Sequence, residues 1–171
     1  MLSTVFLIAR ISVFRSNPQE LSASPWLPIA MAMLCIAVSL RPGSDPAFAF
    51  VLALAQLVVL AALVSYALRR RGFAERMNQT LSALFGVLAV VNLATRPVLA
   101  WMESADGSLL WMPMIAGTLL LLWMLAVMVH VLHQALETPL VATVVLCLLM
   151  LGIVLASTIV LLSLRVWMLD R

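Results

Sequence analysis

Apolar residues run almost unbroken through five stretches of this chain, and polar residues gather in the short intervals between them. A helical crossing needs about 20 apolar residues to cover a hydrocarbon core of roughly 30 Å. The first stretch, residues 26–40, is short unless residues 22–25 join it. Arg41, Pro42, Gly43, Ser44, Asp45 and Pro46 then form a tight turn, so the second stretch, 47–68, returns antiparallel. Arg69, Arg70, Arg71 and Gly72 close that hairpin, and a polar loop through Glu75, Arg76, Asn78 and Gln79 leads into the third stretch, 80–100. A turn from Glu103 through Asp106 to Ser108 precedes the fourth, 109–132. Residues 133–139 connect it to the fifth, 140–164, with Thr138 as a helix cap and Pro139 in the first turn. The pattern predicts an all-α fold, a polytopic membrane bundle of five transmembrane helices.

Ahead of these stretches, Ser3, Arg10 and Asn17 recur every seven residues and make one polar stripe on a helix, with Leu2, Phe6, Val13 and Phe14 around the remainder. That predicts an interfacial helix lying on the bilayer. No cation precedes the apolar start, so a cleaved secretory signal is not expected. Pro18 and Pro25 bracket a polar connector that cannot continue a helix cleanly. The expected organisation is an interfacial helix and connector over residues 1–21 and a five-helix transmembrane domain over 22–171.

Composition agrees with the pattern: 65% of residues are hydrophobic, 10% are charged, and the mean hydropathy is +1.17. That leaves no room for a soluble catalytic, nucleotide-binding or nucleic-acid-reading domain of ordinary size. All ten cations are Arg, giving a formal charge of +3 against seven acidic residues. With the N-terminus inside, Arg10, Arg15, Arg69, Arg70, Arg71 and Arg76 fall on the inner side, and Arg41, Arg96, Arg165 and Arg171 on the outer. The excess predicts an N-in, C-out topology. Arg69, Arg70 and Arg71 are expected to bind anionic lipid, at about 1 kcal/mol each. Trp26, Tyr66, Trp101, Trp111 and Trp167 sit near the ends of the stretches, as interfacial aromatics do, whereas Trp123 is central.

Candidate chemistry is sparse. Gln56 and Asn92 are the deep polar groups, and Arg96 shares a face with Asn92 by i, i+4 spacing, close enough to the outer end to reach headgroups. Pro97 is expected to kink or end the third helix. His130, His133 and Glu137 share one helical face if the helix persists to residue 137, which makes them a candidate metal set or proton relay; the alternative is a helix end whose imidazoles meet the last carbonyls. Neither metal nor cofactor is expected on balance, because no second cluster of ligands exists elsewhere. Cys35 and Cys147 each lie inside an apolar stretch and read as core thiols. Ser82 with Gly86, and Gly152 with Ala156, have the small-x-x-x-small spacing of close helix packing, either within the bundle or with a partner helix. Eleven Met residues, Met124 and Met128 among them, read as adaptable packing; a metal route would need their sulfurs gathered on one pore. No H-E-x-x-H, G-x-S-x-G or phosphate-cradling glycine loop is present, so an enzyme is not expected.

The connector Pro18-Gln19-Glu20-Leu21, the five closely spaced stretches and the junction from Trp123 to Glu137 together resemble the bacterial branch of the Yip/Yif family of small five-span membrane proteins. The resemblance implies a non-catalytic protein. Eukaryotic members of that family act in vesicle trafficking with small GTPases through a long cytosolic N-terminal region, which has no counterpart here, so GTPase binding is not expected. Ten Arg with no Lys fits a GC-rich bacterial source and hence an inner-membrane location. The expected function is a scaffold or assembly protein whose partners are membrane lipids, other integral membrane proteins or a second copy, with no nucleic acid. An accessory subunit of a respiratory or transport complex is the alternative, and a transporter in its own right is disfavoured by the lack of a deep acidic residue.

Overall fold

The computed structural model describes residues 2–14, 16, 18–40, 45–104 and 109–169. Among them six α-helices occur in chain order: α1 (Leu2–Ser12), α2 (Trp26–Ser39), α3 (Pro46–Arg71), α4 (Met77–Ser104), α5 (Trp111–Leu136) and α6 (Leu140–Leu169), with 3-10 turns at Pro18–Glu20 and Ala74–Arg76. Four segments are long and apolar enough to cross a membrane: Pro46–Arg71, Ala74–Ser104, Trp111–Leu136 and Leu140–Met168. The protein is an all-α, multi-helix membrane protein. α2 has 14 residues, about 21 Å at 1.5 Å per residue, and falls short of a full crossing by itself.

Local chemistry fixes the helix ends. The Asp45 carboxylate accepts hydrogen bonds from the Ala47 and Phe48 amides, and Pro46 occupies the first turn of α3. Gly72 ends α3 in the left-handed region at φ 81°, and the next amide, Phe73, closes on the Leu68 carbonyl. α5 ends at Leu136, followed by Glu137 at φ 50°. Pro97 neither ends nor breaks α4, which runs on to Ser104. Of the two expected outcomes, an end at Pro97 is thus not seen: the bond to the Leu93 carbonyl is forfeited, close to the helix end, and membrane helices tolerate such a loss. Residues 41–44, where the sequence predicts a tight turn, residues 105–108 and the cations Arg15, Arg41 and Arg171 lie outside the described residues, as does Asn17.

The core is built around α4, where every residue from Thr80 to Val87 is buried. α2 runs alongside it in the same direction. Asn78 Nδ2 donates to the Ala23 carbonyl at one end, and Arg96 donates to the Leu40 carbonyl at the other. These rungs are eighteen positions apart on α4, about 27 Å. α5 packs antiparallel on another face of α4, with Val127, Val131 and Leu132 fully enclosed. α3 and α6 lie against each other, also antiparallel, and α6 is peripheral, burying Thr143, Cys147 and Met150 while most of its apolar residues face outward. An outward-facing apolar surface of this kind matches a lipid solvent.

α1 is docked on the bundle. Ile8, Ile11 and Ser12 are buried against α4 and α5, whereas Phe6, Val13 and Phe14 are exposed. The contact depends on Gly86: a Cβ there would lie 2.7 Å from Ile8 Cδ1 and 3.0 Å from its Cγ2. The indole Nε1 of Trp123 donates to the Ser12 carbonyl at 3.0 Å, satisfying one of the last acceptors of α1.

Gly86→Val is therefore expected to destabilise the protein by about 1–3 kcal/mol through overpacking. Adding Ile8→Ala should recover most of that loss. Thermal unfolding of the single and double variants in one detergent provides the check, and a double variant no better than Gly86→Val alone would contradict the contact.

Candidate functional site

The structure separates the histidine and carboxylate candidates. His133 Nδ1 lies 2.6 Å from the Thr138 carbonyl, His130 Nε2 lies 3.2 Å from Gln134 Nε2, and the His130 ring meets Phe14 edge-on at 5.3 Å. Gln134 Nε2 donates to an unprotonated His130 Nε2, while Gln134 Oε1 is buried without a partner. Glu137 turns out of the helix and pairs with Arg76 at 2.6 Å. The helix stops one residue short of Glu137, and the shared face predicted from spacing is not continued. Among the described residues no group of three His, Cys, Asp or Glu is placed to hold a metal ion.

The remaining sequence candidates fall in three places. Arg69, Arg70 and Arg71 form the exposed last turn of α3, with Arg70 Nε donating to the Tyr66 hydroxyl at 3.0 Å. Ser82 and Gly86 are buried in the core, Gly86 at the crossing with α1. Gly152 and Ala156 face outward on α6, and a Cβ on Gly152 would meet nothing within 4 Å. Cys35 and Cys147 are buried free thiols.

Two polar clusters organise the molecule. At the end where α4 begins, side-chain amides hold the connector: Gln79 Nε2 donates to the Gln19 and Leu21 carbonyls at 3.1 and 2.8 Å, and Gln19 Nε2 reaches the Gln134 carbonyl at 3.4 Å. A non-helical segment leaves backbone acceptors unpaired, and these amides satisfy some of them.

The second cluster lies toward the far ends of α2 and α4. α2 stops at Ser39, leaving terminal carbonyls without helical donors. The Arg96 guanidinium supplies them, with Nε and Nη2 donating to Val38 at 3.2 and 2.6 Å and Nη2 donating to Leu40 at 2.9 Å. One turn away, Asn92 Nδ2 donates to Ser39 Oγ at 3.0 Å and to Cys35 Sγ at 3.5 Å. Across from this pair of helices, α3 and α6 are joined by Gln56 Nε2 donating to Thr158 Oγ1 at 2.9 Å and by the Asp45–Arg165 ion pair at 3.2 Å. Arg165 also stacks over the Phe48 ring at 4.2 Å. Among the described residues no hydrogen bond links the α2–α4 pair to the α3–α6 pair at this end.

A cavity of about 350 Å³ occupies the gap, with Ser39, Asp45, Gln56, Asn92, Thr95, Arg96 and Arg165 among its walls. A second cavity of about 190 Å³ adjoins it through the shared residues Ser39, Ala53, Gln56 and Asn92 and is otherwise lined mainly by Leu57, Leu60, Leu88, Met124, Met128, Met150 and Val154. No family model matches the chain, and no curated protein or solved structure does so. The chemistry of the site is read from its geometry.

That geometry has a polar, cationic mouth and an apolar floor. Sequence reasoning found Gln56, Asn92 and Arg96 one by one, without the partners that connect them. It missed Arg165 and Asp45 as site residues, because the two are 120 positions apart. The legible signal was the shortness of the first apolar stretch, whose end needs donors from a neighbouring helix.

Arg96→Met should cost about 1.5–3 kcal/mol, the range for hydrogen bonds from a charged donor, because it leaves the α2 carbonyls unpaired. Arg76→Met removes an ion pair whose Glu137 half is exposed, together with a stack over the Phe73 ring at 4.5 Å, and should cost about 1 kcal/mol. Reversible unfolding in mixed detergent compares the two; equal losses would mean that Arg96 does not hold α2.

Proposed function

We propose that this chain is a non-enzymatic scaffold or assembly protein of a bacterial inner membrane, Yip-like in organisation, which packs against other integral membrane proteins or a second copy and contacts anionic lipid through Arg69, Arg70 and Arg71. In this reading the chain crosses five times with its N-terminus inside and C-terminus outside, α2 serves as the fifth crossing, and α1 sits at the inner boundary. The 27 Å over which α2 and its flanks accompany α4 supports counting α2 as a crossing.

The observation that carries the assembly reading is the state of α6. It is a 30-residue helix with Thr143, Cys147 and Met150 as its buried residues, and its small residues Gly152 and Ala156 point away from the bundle. Small residues let two backbones approach closely, which is the usual means of helix association in a medium that offers no hydrophobic drive. The polar groups elsewhere in the spans join helices of the same chain, as Gln56 does with Thr158 and Asn92 with Ser39.

The test is oxidative cross-linking of Gly152→Cys in native membranes, combined with mass spectrometry of the chain purified in mild detergent. A discrete adduct through residue 152 with one membrane protein or a second copy is expected, and Leu155→Cys or Val141→Cys should give less of it. A chain that purifies alone and does not cross-link through residue 152 refutes the assembly reading.

A further inference from the structure

We propose that the two adjoining cavities form a binding site for a single-chain anionic amphiphile, with the acidic headgroup at Arg96 and Arg165 and the alkyl chain in the apolar chamber beyond Asn92 and Gln56. This goes beyond the assembly reading and does not depend on it.

Three observations carry the assignment. The mouth has an excess of positive charge, since two guanidiniums and one carboxylate line it and, among the described residues, no carboxylate pairs with Arg96. A guanidinium beside hydrocarbon whose partners are neutral carbonyls favours an anion, and with Nε and Nη2 of Arg96 held by Val38 and Leu40 its Nη1 side remains to meet a carboxylate or phosphate. The floor is of opposite character: Leu57, Leu60, Leu88, Met124, Met128 and Met150 offer aliphatic and thioether surface, and methionine accommodates chains of variable shape. The transition is sharp, since Ser39, Ala53, Gln56 and Asn92 belong to both spaces.

The space also has a structural cause. The α2–α4 and α3–α6 pairs are each tied internally by hydrogen bonds, and the cavities occupy the seam between them. From Arg96 to Leu88 along α4 is eight positions, about 12 Å, which sets the reach from headgroup to chamber. The combination of concave shape, apolar lining and a few convergent polar groups is that of a small-molecule site.

The experiment uses the full chain in nanodiscs of zwitterionic lipid, with a photoreactive fatty acid as probe and saturated carboxylates of increasing length, from butanoate to hexadecanoate, as competitors. Lysophosphatidate runs in parallel, to tell a phosphate headgroup from a carboxylate. Labelling is expected on peptides carrying Met124, Met128 or Met150. Competition should strengthen about fourfold per methylene and then level off once the chamber is full. Arg165→Gln should weaken competition by either headgroup at least tenfold. Ala53→Phe, which plugs the junction and leaves both Arg residues in place, should abolish the length dependence while retention on gel filtration reports an intact fold. Tighter binding of the phosphate or of the carboxylate supports the site equally and names its source. Labelling spread over the outward face of α6, length dependence that never levels, or equal competition by acetate and by inorganic phosphate would each overturn the proposal: the first two mean partition into bilayer, the third a simple anion site.

Discussion

The end of α2 is the constraint on which the upper half of this bundle depends. A helix that stops inside or at the edge of a hydrocarbon layer leaves its last carbonyls without donors, and no water replaces them cheaply. The chain meets this demand with one side chain on the neighbouring helix, Arg96, whose Nε and Nη2 reach Val38 and Leu40. The guanidinium gains as well, because carbonyls at a helix C-terminus carry partial negative charge that complements the cation. Two costly groups, a cation and a set of orphan acceptors, are thus made compatible by proximity. Asn92, one turn away, extends the clasp to Ser39 and Cys35 and fixes the register of α2 on α4.

The opposite end solves the same problem with neutral groups. The connector between α1 and α2 is non-helical through most of its length, and its carbonyls at Gln19, Leu21 and Ala23 are met by the amides of Gln79 and Asn78 at the start of α4. α4 therefore supplies donors at both ends of its neighbour and apolar surface between them. Its small residues help: Ser82 and Ala83 are fully buried, and Gly86 lets Ile8 of α1 approach closely.

Much of the architecture was legible in the pattern of apolar stretches, because bilayer thickness and backbone saturation leave few alternatives. The polar breaks fell close to the observed helix ends, but the cap expected at Thr138 is not the one seen: its hydroxyl lies 2.7 Å from Thr143 Oγ1, and α6 begins at Leu140, after Pro139 rather than with it in the first turn. The docking of α1 was hidden because Ile8 and Gly86 are 78 positions apart, and a seven-residue polar stripe says nothing about which apolar side finds a partner. The shared face of His130, His133 and Glu137 was conditional on a helix that persists to residue 137, and the helix ends at Leu136. Helical spacing assumes a helix, and the chain leaves that conformation at Glu137 to pair with Arg76. Periodicity located Asn92 and Arg96 on one face correctly, but what they touch is a long-range fact that single-sequence patterns do not contain.

The distribution of hydrogen bonds explains why the polar-mouthed cavity lies at the end where α2 stops, whereas the space between α3 and α6 at the other end, walled by Leu63, Tyr66, Arg70 and Leu136, is mainly apolar. Toward the end where α4 begins, Val64 and Leu68 of α3 are fully buried in the bundle, and there the helix packs without a polar tie to α6 among the described residues. Toward the end where α2 stops the ties run within pairs: Gln56 and Asp45 bind α3 to α6, while Asn92 and Arg96 bind α4 to α2. Each bond made within a pair removes a donor that would otherwise draw the two pairs together. Apolar contacts alone give weak closure in lipid, where tails compete on equal terms with side chains, so nothing pulls the seam shut. The open space at this end follows from where its polar side chains point, and the same side chains give its mouth an unbalanced positive charge.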